Sequence, residues 1–457
     1  MKGSIVPETV YVALGSNLGD RAAAIHSALH ELSSFGRVEA TSFLYETAPA
    51  YILDQPPFLN AVCRLLTELS PGDLLRALKQ VEAGLGRVRG VRYGPRVVDL
   101  DILLYGNQRV AESDLQIPHP LLAERDFVLE PLADLIPDWI EPHSGLTPSQ
   151  LLARLGARPL PRVMPVAGRL WRWGEKSRIM GILNVTDDSF SGDGLLAPDS
   201  GKMLDRVVEQ AERFQAEGAN CLDVGGQSTR PGHELVAEEE EAARIVPVIE
   251  ALSRHVDLPI SVDTFRSGVA RAALDAGAHL VNDIWGLRYD ARLAELVRER
   301  SVPLVVMHNR ADVSDPAYRA RVSRPPLPPG YNVVEMVRSE LAQGLAGAQA
   351  CGVPRWNLIP DPGIGFGKSI QDHLRLIRQL DTLAPSGYPL LFGPSRKGFI
   401  GKLLGGLAPE ERAEGTAALC VLAVERGAQI LRVHDVQMVA RAVRMAEAVL
   451  HGANGSE

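Results

Sequence analysis

Residues 178–186 read RIMGILNVT, a short apolar run that ends on polar residues, Asn184 among them. The same design recurs seven more times: CLDVGG (221–226), PISVDT (259–264), LVNDI (280–284), VPLVVMHN (302–309), NLIPDPG (357–363), PLLFGPSRK (389–397) and ILRVHDV (430–436). Short apolar strands alternating with long segments of helical spacing predict stacked βα units. Eight of them match the count of a closed (β/α)8 TIM barrel, which takes ~250 residues or more. Each strand carries a polar residue at or near its C-terminal end: Asn184, Asp223, Asp263, Asn282, His308, Asp361, Lys397, and Arg432 with His434. A single one would be a strand end meeting water. Eight, converging on the face where barrels of this type do chemistry, predict a polar pocket.

The chain upstream has a different rhythm. TVYVALGS (9–16), VEATSFLYET (38–47) and FLNAVCRLLTEL (58–69) read as strands, residues 18–34 have helical spacing, and PGDLLRALKQVEAGLG (71–86) reads as a helix opened by Pro and closed by Gly. This order predicts an α+β domain with helices on one face of a mostly antiparallel sheet. A Pro-, Gly- and Arg-rich stretch around ARPLPRVMPVAGR (157–169) places the seam near 160, dividing the chain into 1–160 and 161–457.

Within the first domain, PRVVDLDILLYG (95–106) is a strand interrupted by Asp99 and Asp101. Alternation puts residues i and i+2 on one face, so both carboxylates point the same way. Arg87, Arg89, Arg92 and Arg96 lie just upstream. Paired acids beside arginines suit two arrangements. One is an ion-pair cluster at a sheet edge. The other is a Mg2+ seat at which guanidinium groups meet phosphates.

Composition narrows the classes. A formal net charge of -8 argues against a general nucleic-acid binder, and no apolar run reaches signal-peptide or membrane-spanning length. Cys63, Cys221, Cys351 and Cys420 are isolated, as expected of reduced cysteines in a cytoplasmic protein.

VALGSNLGDR (12–21), DQPPFLNAV (54–62), GPRVVDLDILLYG (94–106) and IPHPLLAERDFVLEPL (117–132), in this order, resemble 6-hydroxymethyl-7,8-dihydropterin pyrophosphokinase. The resemblance implies a ferredoxin-like fold and transfer of pyrophosphate from ATP to the pterin hydroxymethyl group, releasing AMP. It implies that Asp99 and Asp101 hold two Mg2+ ions and that Arg87 and Arg96 stabilise phosphate. Glu82, Arg89, His119 and Arg125 match ATP contacts, and Thr47, Phe58, Asn60 and Phe127 match the pterin pocket.

GILNVTDDSFS (181–191), DVGGQSTRPG (223–232), SVDT (261–264), VNDI (281–284), DPGIGFGKS (361–369), GPSRKGFIG (393–401) and RVHDV (432–436) resemble dihydropteroate synthase. That family condenses the pterin diphosphate with 4-aminobenzoate to 7,8-dihydropteroate, releasing pyrophosphate. Asp361, Asn282 and Lys397 suit the pterin edge; Asp223 suits a pterin or loop-ordering contact and equally a purely structural role. Asp263 is placed to stabilise charge on the methylene. By resemblance, Arg432, His434 and one Mg2+ near Asn184 take the departing anion, Thr229 and Arg230 fold over pyrophosphate and the 4-aminobenzoate carboxylate, and Ser395 contacts 4-aminobenzoate. DPGIGFGKS imitates a phosphate loop but carries Pro362 where that motif needs Gly, so Lys368 reads as structural. Asp187 and SGDG (191–194) depart from the usual first-loop wording, which implies altered loop mobility. EEEE (238–241) reads as the acidic start of an exposed helix, SRPPLPPG (323–330) as a surface excursion, and His26 and His30 as helix-surface residues.

The reading is a bifunctional folate-biosynthesis enzyme with small-molecule substrates, no nucleic-acid or membrane partner, and a homodimer through the barrel as the family implies. Two alternatives stand beside it. A pterin-binding protein with one silent domain would be expected to lose Asp99 or Asp101, and both remain. A methyl-folate-using barrel would not need STRPG together with SRK.

Overall fold

The computed structural model describes residues 6–88, 94–185, 200–227, 236–310 and 330–452. Two compact units emerge. The first comprises residues up to Arg172 together with Gln349–Asn357, and the second comprises the rest.

The first unit contains β1 (Glu8–Ser16), α1 (Arg21–Leu32), β2 (Arg37–Thr41), β3 (Leu44–Thr47), β4 (Phe58–Thr67), α2 (Pro71–Gly84), β5 (Asp99–Tyr105), the small β6 (Val110–Ala111) and β7 (Gln116–Ile117), α3 (Asp126–Leu135), α4 (Pro148–Leu155), β8 (Arg162–Val166) and β9 (Arg169–Arg172). Its main sheet runs β5-β1-β4-β3-β8-β9, with β2 also on β4, and every pairing is antiparallel.

Helices cover both faces of this sheet rather than the single face expected. On one side Val10, Val12 and Leu14 of β1 and Leu100 and Ile102 of β5 pack with Ile25 of α1 and Leu74 and Leu78 of α2. On the other, Tyr11, Ala13, Val62 and Leu103 meet Val128, Leu129 and Leu132 of α3 and Leu151 of α4. The central strands alternate between two apolar faces, so each needs its own helical cover. The strand predicted over 38–47 is split into β2 and β3. The Pro-rich seam is itself structured: it follows α4 and carries β8 and the turn into β9, and β8 extends the sheet from β3.

His26 is half-buried rather than exposed on the helix surface. Trp356, 2% exposed, joins the first unit's core, and its indole Nε1 donates to His26 Nε2 at 3.1 Å. Burial pulls the His26 pKa down to about 4, which keeps the ring a neutral acceptor. Beside it, the Arg355 backbone N–H donates to Thr41 Oγ1 (2.8 Å) and its Nη1 donates to the Asp134 carbonyl (2.8 Å). His30 is exposed, as expected.

The second unit bears out all eight predicted strands: β10 (Arg178–Asn184), β11 (Cys221–Gly225), β12 (Ile260–Asp263), β13 (Leu280–Asp283), β14 (Leu304–Met307), β15 (Leu358–Asp361), β16 (Leu390–Phe392) and β17 (Ala428–Val433). They form one parallel sheet in the order β15-β14-β13-β12-β11-β10-β17-β16, and β15 and β16 at its two ends lie beside one another in a near-closed barrel. The surrounding helices are α5 (Ser200–Glu217), α6 (Glu238–His255), α7 (Ser267–Asp275), α8 (Arg292–Arg300), α9 (Val333–Ala350), α10 (Ile370–Arg378), α11 (Gly398–Leu403), α12 (Ala413–Glu425) and α13 (Val436–His451). The acidic run does open α6, but Glu241 is buried and paired with the Arg266 guanidinium, so only part of the run faces water. Asp187, residues 191–194 and most of the 323–330 segment lie outside the described residues. No helix among the described residues is long and apolar enough to cross a membrane. The four cysteines are free thiols, three of them buried.

Trp356→Ala should weaken the first unit by about 3–5 kcal/mol, the usual cost of deleting a buried large aromatic. Hydrogen exchange would then quicken in the β1 and β4 amides while barrel amides keep their protection. Unchanged β1 and β4 exchange would contradict the packing role.

Candidate functional sites

In the first unit, sheet register builds the site. Gly15 of β1 faces Asn60 of β4 and Asp99 of β5, and Ala13 faces Asp101. Directly opposed residues share a face, so Asn60, Asp99 and Asp101 all look toward the α3 side. Thr47 and Phe58 are opposed one step further along. Gly15 keeps the floor open, since a Cβ there would sit 3.2 Å from Asn60 Oδ1. Above it lies a cavity of about 340 Å3, lined by Thr47, Phe58, Asn60, Asp99, Asp101, His119, Arg125 and Phe127, with Arg87, Arg96 and Lys79 on its charged side.

The predicted acids and arginines meet here. Arg87 Nη1 donates to Asp99 Oδ1 and Arg96 Nη1 to Asp99 Oδ2, each at 2.6 Å. Asp101 has its pKa raised, first by burial and then by the negative charge of Asp99. Such a pair favours a cation. Both carboxylates offer hard oxygen donors. Among the described residues no cluster of three or more acid, His or Cys side chains offers a complete metal cage. Two carboxylates, with the remaining positions left to phosphate and water, fit the way Mg2+ binds.

Glu82 departs from its expected place as an ATP contact. It is 2% exposed, and its Oε1 accepts from Lys79 Nζ (2.9 Å), the Leu100 backbone N–H (2.8 Å) and the Arg87 guanidinium. It therefore acts on Arg87 rather than on the cavity. His119 has its pKa lowered by burial against the pull of Asp101, and its Nδ1 accepts from the Leu121 N–H at 3.2 Å. Asn60 Nδ2 donates to Thr47 Oγ1 at 2.7 Å, which orients the amide. One lining residue, Tyr51, escaped the sequence reading. Arg125 donates from Nε to the Tyr51 hydroxyl (3.1 Å) and lies over the rings of both Tyr51 and Phe127. An aromatic in the 48–57 loop was the available signal. Arg89 and Arg92 lie outside the described residues.

In the barrel, the strand-end residues converge. Arg432 of β17 donates from Nε to Asp223 Oδ2 (2.5 Å) and from Nη2 to Asp263 Oδ2 (2.6 Å). Asn282 Nδ2 reaches the same Asp223 oxygen at 3.0 Å. Asp223 Oδ1 is buried and, among the described residues, has no hydrogen-bond partner, so it presents an unused acceptor. Burial raises the Asp263 pKa to about 7 despite Arg432 beside it. Burial also raises Asp361 to about 6, although the Gly363 N–H donates to its Oδ1 at 2.7 Å. Lys397 falls to about 8, through burial and the nearby Arg432. Its ammonium lies 4.3 Å from the centroid of the Phe366 ring, and Gly365 leaves it room, because a Cβ there would sit 2.7 Å from Lys397 Cδ. Ser395 Oγ and His434 Nδ1 are 2.9 Å apart, and the His434 N–H donates to the same hydroxyl. Asn184 closes β10 beside Gly225. Thr229 and Arg230 lie outside the described residues.

Comparison with known proteins agrees with both halves. Residues 11–137 match the 7,8-dihydro-6-hydroxymethylpterin-pyrophosphokinase family, and residues 180–434 match the pterin binding enzymes. A folate synthesis bifunctional protein of Pisum sativum, named as mitochondrial, is 39% identical over 97% of this chain and 90% of its own length. A folic acid synthesis protein of Pneumocystis carinii is also 39% identical over 98% of this chain, which spans 60% of that protein. Among solved structures, the dihydropteroate synthase of Xanthomonas albilineans with 4-aminobenzoic acid is 39% identical, covers 64% of this chain and 99% of its own, and gives a TM-score of 0.56. The HPPK-DHPS of Plasmodium falciparum with pteroate covers 100% of this chain and 97% of its own at a TM-score of 0.80. At 20% identity it speaks for the fold alone. The chain belongs to the bifunctional folate synthesis proteins, with a hydroxymethyldihydropterin pyrophosphokinase unit followed by a dihydropteroate synthase barrel.

Proposed function

We propose that the two cavities perform consecutive steps and that the residues above divide the work as follows. In the first unit the flat pterin lies between Phe58 and Phe127, with the Asn60 amide on its edge. Asp99 and Asp101 would hold two Mg2+ ions, which would supply neutralisation of the ATP phosphate charge. Arg87 and Arg96 shift from Asp99 toward the transferring phosphates, Glu82 aims Arg87, and His119, Arg125 and Arg89 complete the nucleotide site. The pterin hydroxyl attacks the β-phosphorus, loses its proton, and AMP departs.

In the barrel, Asp361, Asn282 and Asp223 offer acceptors and an amide to the pterin edge, and Lys397 offers a donor to its carbonyl. The methylene–oxygen bond breaks with its electrons leaving on diphosphate, and the 4-aminobenzoate nitrogen bonds to the methylene and gives up a proton. Asp263, whose ionised form Arg432 favours against burial, offsets positive charge on that carbon. Arg432 has Nε and Nη2 committed to the two acids, so its Nη1 edge is the part that can meet the departing anion, with His434 and one Mg2+ at Asn184. Thr229, Arg230 and Ser395 receive 4-aminobenzoate. The observation that carries the barrel reading is the unused buried Asp223 Oδ1 beside an ion-paired Asp263, an acceptor and a counter-charge in one mouth. The proposal extends to a cytoplasmic setting, which the free thiols suit, and to a homodimer through the barrel, on which α13 exposes Met438, Met445 and Val449.

Two substitutions test the division. Asp99→Asn should slow AMP formation by about 100-fold or more while leaving synthase activity on supplied pterin diphosphate within about twofold. Lys397→Ala should do the reverse, lowering dihydropteroate formation by roughly 10- to 100-fold with AMP formation intact. Parallel loss of both activities in either variant would contradict independent sites.

A further inference from the structure

The loop that follows β15 is held from within by two cations. Lys368 Nζ donates to the carbonyls of Gly363 (2.8 Å), Phe366 (3.2 Å) and His308 (3.3 Å), which accounts for all three ammonium protons. Arg310 Nη1 donates to the next carbonyl along, Gly367, at 3.1 Å. A lysine so engaged has no proton left for a phosphate.

The loop it fastens touches the pterin-facing groups at both ends. At its start the Gly363 N–H binds the Asp361 carboxylate. Further along, the Phe366 ring seats the Lys397 ammonium. Fixing the Gly363 and Phe366 carbonyls to one nitrogen therefore fixes the spacing between Asp361 and Lys397.

We propose that Lys368 is a positioning residue for the condensation. Its ammonium sets the loop geometry that presents Asp361 and Lys397 to the pterin, and its charge keeps Asp361 ionised. This rests on the barrel being the synthase. Burial lowers the Lys368 pKa to about 7, so its charge is present over the acidic range in which Asp361 takes up its proton. The groups whose charge also acts on it are Asp361, Arg310, Glu340 of α9 and Asp372 of α10, with His308 and His373 also close. Around Asp361 stand Lys397, Lys368 and Arg432, together with the Gly363 N–H. All three cations oppose the effect of burial on Asp361. Removing one raises the Asp361 pKa further above about 6, so the carboxylate takes up its proton, and loses its grip on the pterin N–H groups, at a higher pH.

The test uses the full chain with Lys368→Met, and kinetics on supplied pterin diphosphate and 4-aminobenzoate from about pH 5 to about pH 9. KM for the pterin diphosphate should rise about tenfold near neutrality, and its acidic limb should move up by about one pH unit. AMP formation by the first unit serves as the internal control and should be unchanged. Lys368→Gln, which keeps donors but no charge, should retain more affinity near neutrality yet show the same displaced acidic limb. A KM within about twofold of wild type, or one raised by the same factor at every pH, would overturn the proposal. So would loss of the first unit's activity in both variants, which would make Lys368 a folding residue. Wild-type protein that forms no dihydropteroate overturns the synthase reading instead.

Discussion

Two carboxylates set close together in a poorly solvated place repel each other, and each proton affinity climbs until a cation intervenes. Both sites of this chain are organised around that repulsion, and they resolve it differently. In the barrel the cation is built in: Arg432 reaches across to Asp223 and Asp263 at once. In the first unit Arg87 and Arg96 both settle on Asp99, and Asp101 is left with a raised proton affinity. The first arrangement suits a cup that must stabilise a transient positive carbon. The second suits a seat for ions that arrive with a nucleotide.

Geometry makes each solution available. In β5 the two-residue period turns Asp99 and Asp101 toward the cavity while Leu100 and Ile102 enter the opposite core, so one strand serves chemistry and packing together. In the barrel, parallel strands deliver Asp263, Asn282 and Asp361 to the same end of the sheet from β12, β13 and β15. Glu82 and Lys368 belong to a further layer. Glu82 Oε1 holds Arg87 in place, and the Lys368 ammonium is spent on a loop.

Much of this was legible in the sequence because it rests on short periods. Eight apolar runs with polar ends required a parallel sheet, and the i, i+2 acids required a shared face. What stayed hidden depends on long-range partners. His26 sits 330 residues from the Trp356 that buries it, and nothing in the amphipathic pattern of α1 announces that cover. Glu241 looked like one acid in a solvated run until Arg266 came to lie against it. The second helical layer on the α+β sheet was missed because strands apolar on both faces were read as covered on one. Tyr51 escaped because a loop aromatic carries no period at all.

The central claim is that one chain places charge for two successive reactions, the product of the first feeding the second. Purified protein given ATP, Mg2+, 6-hydroxymethyl-7,8-dihydropterin and 4-aminobenzoate should release AMP and form 7,8-dihydropteroate in equal final amounts when the pterin is limiting. AMP without dihydropteroate, or neither product, would contradict the account.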